Sequence, residues 1–276
     1  MAFGQRLQAA VESVGSALVV GIDPHPSRLP EPIAARMGDP RDALAAWGRG
    51  IVDAVRGVAV AVKPQVAFFE IWGGAGVDAL AEICAYAREA GLFVILDAKR
   101  GDIGSTAEAY ARATLDDDGP MAADAVTLSP YLGPESLEPF VERARSGKGL
   151  FLLVRTSNPG AGAWQAGIAE QVADWIRQTN TELGGDPGPI GAVVGATLPG
   201  APWRARMPAA WFLAPGIGAQ GAGPEDVKGH CRPDGGGLLA VSARGVLFGQ
   251  VAREGEDWVE GVSRRARAEA AAFAPR

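Results

Sequence analysis

Residues 17–30 read ALVVGIDPHPSRLP. The first seven form a near-continuous apolar run, rich in β-branched valine and isoleucine and too short for a typical helix. That pattern predicts a strand buried on both faces, as in a parallel sheet flanked by helices or closed on itself. An open doubly wound sheet would lead from this strand into a G-x-G-x-x-G turn. Pro24, His25, Pro26 and Pro30 stand there instead and cannot supply it. The same kind of run recurs as VAVAVKP (58–64), LFVILDAK (92–99), ADAVTLS (123–129), GLFLLVRT (149–156), IGAVVGAT (190–197), WFLAPGI (211–217) and LLAVSARG (238–245). Helical periodicity fills the intervals; in 75–90, Val77, Leu80, Ala81, Cys84 and Ala87 are expected to form an apolar stripe against the strands. Eight strand–helix units in about 250 residues fit a (β/α)8 TIM barrel. No linker or low-complexity segment interrupts the chain, so 1–276 is expected to be a single domain.

The composition agrees. At 276 residues and 47% hydrophobic the chain can bury a full-sized core, and its 38 glycines and 20 prolines suit many short connections. A net charge of −6 and the absence of a basic run exclude a polyanion-binding surface, so no nucleic acid is expected. Cys84 and Cys231 are too few for a disulfide framework or a zinc site, which suggests a reducing, cytoplasmic setting. No stretch approaches ~18 uninterrupted apolar residues, and MAFGQRLQAAVES lacks a signal-peptide core, so no membrane association is expected.

In a TIM barrel the site lies at the carboxyl ends of the strands. The polar residues closing the runs are Asp23, Lys63, Asp97 with Lys99, Ser129, Arg155 to Ser157, Thr197, and Ser242 with Arg244. Strand alternation puts Asp97 and Lys99 on one face, with Lys63 roughly 5 Å to the side. An isolated D-x-K is equally well read as a buried ion pair. Here the string continues as LDAKRGDIGSTA (96–107), adding Asp102 and Ile103 in a glycine-bearing loop before a helix expected near Thr106. Charges crowded this closely cost free energy unless all are paired, which favours a functional reading.

The ten residues DAKRGDIGST (97–106) match the D-x-K-x-x-D-I-x-x-T signature of the orotidine 5'-phosphate decarboxylase family. GIDPHPSRLP at the first strand, KPQVAFFE at the second, RTSNPGA after the fifth and APGIGAQG after the seventh extend the resemblance over nearly the whole chain, which looks most like the longer bacterial subgroup. The resemblance implies a homodimeric TIM barrel that converts orotidine 5'-phosphate to uridine 5'-phosphate, the last step of UMP biosynthesis, with no cofactor and no metal. It implies a charged catalytic array of Lys63, Asp97, Lys99 and Asp102, with Asp102 reaching the neighbouring subunit's site. Asp23 and Lys63 would hold ribose hydroxyls, Thr106 would reach the ribose across the dimer, Ile103 would line the pyrimidine pocket, and Ser157 would read the pyrimidine amide edge. Gln220 and Arg244 match phosphate-holding positions. Gly218 and the backbone around Ala243 would approach the phosphate, and Pro215 joins the substrate-binding set.

Decarboxylation leaves negative charge on a vinylic carbon, C6 of the pyrimidine, where resonance helps little. An ammonium there, from Lys99, would stabilise the carbanion and then protonate it. Asp97 would sit beside the departing carboxylate, a secondary, ground-state contribution.

Two other readings remain. A related barrel performing metal-dependent phosphosugar decarboxylation or aldol chemistry shares D-x-K-x-x-D, but needs magnesium held by carboxylates, and Lys63 would repel the ion. A noncatalytic nucleotide-binding barrel is the other.

The remaining polar residues read more plainly. Arg204 and Arg206, in LPGAPWRARMP (198–208), are expected to be surface arginines, with a part in a lid as the alternative. His25 is expected in a turn, His230 in a surface loop, Cys84 in the core, and Asp116 to Asp118 in a solvated loop. Trp47, Trp175 and Trp258 should pack under helices.

Overall fold

A computed structural model describes residues 2–217, 221–249 and 256–274. The chain runs α1 (Phe3–Val14), β1 (Leu18–Ile22), α2 (Glu31–Ala34), α3 (Pro40–Val55), β2 (Ala61–Pro64), α4 (Val66–Glu70), α5 (Gly73–Glu89), β3 (Phe93–Arg100), α6 (Gly104–Leu115) and β4 (Ala125–Leu128). It continues with α7 (Glu138–Arg145), β5 (Gly149–Arg155), α8 (Ala161–Gln165), α9 (Ala169–Leu183), β6 (Ile190–Val194), α10 (Ala201–Arg206), β7 (Phe212–Pro215), β8 (Leu238–Ser242), α11 (Arg244–Phe248) and α12 (Trp258–Ala272). The strands close into a barrel in sequence order. Each pairs in parallel with the next, and β8 pairs back on β1 through Val19↔Val241. All eight apolar runs thus become barrel strands.

Alternation along each strand builds two apolar layers. Leu18, Val20 and Ile22 face the helical shell, where they join Val62, Val94 and Val126, while Val19, Ala61, Ile95 and Ala125 point into the barrel. This explains why the runs look continuous rather than alternating: both faces are dry. Helix α1 seals the amino-terminal end. Phe3, Leu7 and Val11 join the inner cluster, and Phe3 packs edge-on against Phe93 and Phe151 with ring centroids 5.8 and 6.2 Å apart. Burial of Phe3 and Leu7 contributes about 1.5–3 kcal/mol each. Trp211 Nε1 donates to Gly4 O at 3.1 Å. A side chain at Gly4 would lie 2.3 Å from Gly188 O, so only glycine fits this close approach.

Three expectations need correction. Helix α5 buries Gly76, Ala79, Leu80, Ile83, Cys84 and Ala87; Val77 is exposed, because the inward stripe is centred on Leu80 and Ile83. Arg204 is buried, not on the surface: its guanidinium donates to the carbonyls of His230, Met207, Pro208, Ala210 and Gly237 and lies 3.8 Å over the Phe212 ring. Carbonyl dipoles and a π face replace its water. His230 is fully buried as well, with Nε2 3.2 Å from Gly195 O; burial pushes its pKa down, favouring the neutral ring. The 116–118 run lies in a solvated surface loop as expected, where Asp116 also accepts from Arg143 and Asp117 from Lys148, both at 2.8 Å. Arg206 is half-buried and pairs with Asp174. Among the described residues, no helix is long and apolar enough to cross a membrane.

Candidate active site

One level above the apolar filling, the inward positions change character. On β2 to β4 the series Ala61, Ile95 and Ala125 gives way to Lys63, Asp97 and Thr127, with Asp23 just past the end of β1, whereas on β5 to β8 it stays apolar as Leu153, Val193, Leu213 and Val241. Together these residues, apart from Asp23, line much of a cavity of about 270 Å³ at the carboxyl ends of the strands, with Lys99, Ser157 and Pro215 also on its wall. One half is charged and the other oily.

Asp97 is the hub. Its Oδ2 accepts from Lys63 Nζ at 2.6 Å and from Gln65 Nε2 at 3.0 Å; its Oδ1 accepts from Lys99 Nζ at 2.5 Å and from Thr127 Oγ1 at 3.0 Å. Both Lys63 and Asp97 are buried. Burial alone would raise the Asp97 pKa, but Lys63 and Lys99 hold it well below the usual carboxylate range. Burial likewise opposes charge on Lys63, yet the Asp97 and Asp23 carboxylates lift its pKa above the ordinary value. Lys63 and Asp97 are therefore an ionised pair across the neutral range. The Asp23 pKa is raised, chiefly by burial. Its Oδ1 is buried with no hydrogen-bond partner among the described residues, leaving an acceptor available for a ligand hydroxyl.

The main chain at Lys99 is unusual, with φ at 47°, in the left-handed region that costs a non-glycine residue of order 1–2 kcal/mol. Nearby, Ser157 is presented by a turn that Gln165 braces: its Oε1 accepts from Thr156 N at 2.9 Å, and its Nε2 donates to Thr156 Oγ1 at 2.6 Å.

The other nominated residues divide. Asp102 Oδ1 accepts from Ile103 N at 2.8 Å, and Asp102, Ile103 and Thr106 stand apart from the cavity wall; Ile103 and Thr106 are exposed. Ala243 sits at the junction of β8 and α11, and Arg244 is the exposed first residue of α11. Gly218 and Gln220 lie outside the described residues. Ser129 opens onto a separate groove beside Tyr131 and Trp164. Sequence reasoning overlooked Gln65 and Thr127. Both carried the alternation signal, Gln65 two residues after Lys63 and Thr127 two after Ala125. Among the described residues no three His, Cys, Asp or Glu side chains gather into a metal-binding group.

Fold and site together define a (β/α)8-barrel of the type that places a buried ammonium–carboxylate–ammonium array at the carboxyl ends of adjacent strands. Residues 16–249 match the profile of the Orotidine 5'-phosphate decarboxylase / HUMPS family, and the chain belongs to that family. It is 42% identical to the orotidine 5'-phosphate decarboxylase of Rhodopirellula baltica over 95% of both chains. It is 43% identical to that of Deinococcus radiodurans over 89% of both. A crystal structure of a candidate orotidine 5'-phosphate decarboxylase from Streptomyces avermitilis superposes with a TM-score of 0.84 at 41% identity, covering 99% of this chain and 94% of that one.

Proposed function

We propose that the chain, as one barrel domain, converts orotidine 5'-phosphate to uridine 5'-phosphate, and that the clasp of Asp97 between Lys63 and Lys99 is the core of its catalytic machinery. The observation that carries this reading is that clasp, set on the wall of a cavity large enough for a pyrimidine ring. Lys99, whose side chain is 45% exposed toward the cavity mouth, is the ammonium that faces the reacting carbon. It stabilises charge developing at C6 and then delivers the proton that replaces carbon dioxide. Asp97, kept ionised by the neighbouring lysines, sits beside the departing carboxylate and holds the Lys99 side chain aimed. Lys63 and the unpartnered Asp23 Oδ1 suit ribose hydroxyls. The apolar wall of Leu153, Val193, Leu213 and Pro215 gives the ring a dry surface, and Ser157 reads its amide edge. Gln220 and Arg244, with Gly218 and Ala243 close by, hold the phosphate; these remote contacts supply binding free energy for the reacting centre.

The working unit is a homodimer in which Asp102, Ile103 and Thr106 complete the neighbouring site. Support comes from the rim after β3, β4 and β5, where Ile103, Tyr131, Leu132 and Trp164 are 58%, 68%, 45% and 72% exposed. Adjacent large apolar side chains of this kind mark an interaction surface. The free thiols of Cys84 and Cys231 fit a cytoplasmic setting.

The test is conversion of orotidine 5'-phosphate to uridine 5'-phosphate, followed by absorbance with a chelator present. Turnover that Lys99→Ala removes is expected. A folded dimer with no turnover would overturn the reading and direct the next assay to phosphosugars with magnesium.

A further inference from the structure

The left-handed backbone at Lys99 has its cause in the β3–β4 ladder. Leu96 pairs with Val126 and Arg100 with Leu128, so Asp97, Ala98 and Lys99 stand opposite Thr127 alone. A bulge of this kind leaves main-chain groups without their ladder partners. The Thr127 side chain fills the gap: Lys99 N–H donates to Thr127 Oγ1 at 3.0 Å, and the same hydroxyl donates to Asp97 Oδ1 at 3.0 Å. On that oxygen Lys99 Nζ also closes, at 2.5 Å. The backbone of Lys99, the Thr127 hydroxyl, the Asp97 carboxylate and the Lys99 ammonium therefore form one closed ring of contacts. Thr127 is buried, and its only proton and an acceptor lone pair are both engaged within the ring.

We propose that Thr127 is a positioning residue for the reaction: its hydroxyl clamps the bulge in the left-handed form and so fixes the height at which the Lys99 ammonium meets the substrate carbon. The inference rests on the proposed decarboxylation for its kinetic consequence, but not for its geometric one. A residue that merely filled space here would be replaced without loss by valine, which has the same shape and neither hydrogen bond. Serine keeps both bonds and loses only a methyl group.

The experiment compares Thr127→Val and Thr127→Ser by crystallography and by steady-state kinetics. In Thr127→Val the Lys99 φ is expected to leave the positive region and Nζ to draw away from Asp97. Its kcat should fall by about a hundredfold, the scale of a misplacement near 1 Å, with affinity for uridine 5'-phosphate unchanged. Thr127→Ser should keep the wild-type backbone and most of kcat. If the valine variant does not fold, Thr127→Cys, a weak donor of similar size, replaces it in both arms. A valine variant that keeps Lys99 in place, or a serine variant as impaired as valine, would overturn the proposal. If wild-type protein does not turn over orotidine 5'-phosphate, the proposed function fails while the crystallographic arm still decides the role of Thr127.

Discussion

Lys63 Nζ donates to Asp97 Oδ2 at 2.6 Å, with the two side chains only 7% and 9% exposed. Such a pair is hard to break, because the surviving charge keeps its desolvation cost and loses its partner. Asp97→Asn is expected to abolish turnover and to destabilise the fold by about 3–5 kcal/mol, read from urea midpoints at neutral pH.

The pH dependence of that difference follows from the two shifts. Asp97 is depressed below its ordinary 3.8 in the folded state, so its stabilisation is present above 3.8 and fades as pH falls toward the folded value. Lys63 is raised above 10.5, so its share is complete below 10.5 and fades as pH climbs through its folded value. The stability gap between wild type and Asp97→Asn should therefore be widest between about pH 4 and 10. Urea unfolding at pH 7 and pH 3 checks this; a gap unchanged at pH 3 would contradict it.

Lys99→Ala should lower kcat by at least about 10²- to 10⁴-fold, the range for loss of a positioned proton donor. Lys99→Arg should not rescue it, since a planar guanidinium with a much higher pKa cannot deliver the proton. Single-turnover assays with circular dichroism as a fold control separate this outcome from misfolding.

Arg204 predicts a stability defect. Four of its five carbonyl partners, on Met207, Ala210, His230 and Gly237, belong to buried residues, and Arg204→Met leaves them unsatisfied. A loss of about 3 kcal/mol or more is expected, seen as a lowered Tm. Arg204→Lys should recover little, because one ammonium cannot span the Met207, Ala210, His230 and Gly237 carbonyls.

Burial pushes the Cys84 thiol up to about 12 and removes it from solvent. An aromatic disulfide reagent at pH 8 should modify no more than one thiol in the native protein, Cys231, and both after denaturation. Prompt reaction of Cys84 would show that α5 opens readily.

The barrel was legible because parallel strands shielded on both faces write themselves as unbroken apolar runs, and Pro24 to Pro30 ruled out a dinucleotide turn. Asp97, Lys99 and Lys63 were legible as a group because strand alternation is local and fixes which side chains share a face. Thr127 and Gln65 were not singled out: alternation puts both on the inner face, but a lone hydroxyl or amide there names no partner until its contact with Asp97 is visible. Arg204 and His230 misled for a different reason. Residue type alone says surface, and only the convergence of carbonyls from 207–210, 230 and 237, together with Gly195 O, makes their burial tolerable. Asp102 and Thr106 were singled out by the motif alone, and within one chain they stand apart from the cavity wall.

The helix that stoppers the lower end of the barrel has a consequence for traffic. With Phe3, Leu7 and Val11 wedged beneath Ala61, Ile95 and Phe151, the described chamber opens at the upper rim. On the proposed reaction, carbon dioxide released beside Asp97 then shares one doorway with the nucleotide, and the smaller molecule leaves past the larger. Substrate entry and both departures are then confined to one rim, so a ligand seated there stands in the way of all three.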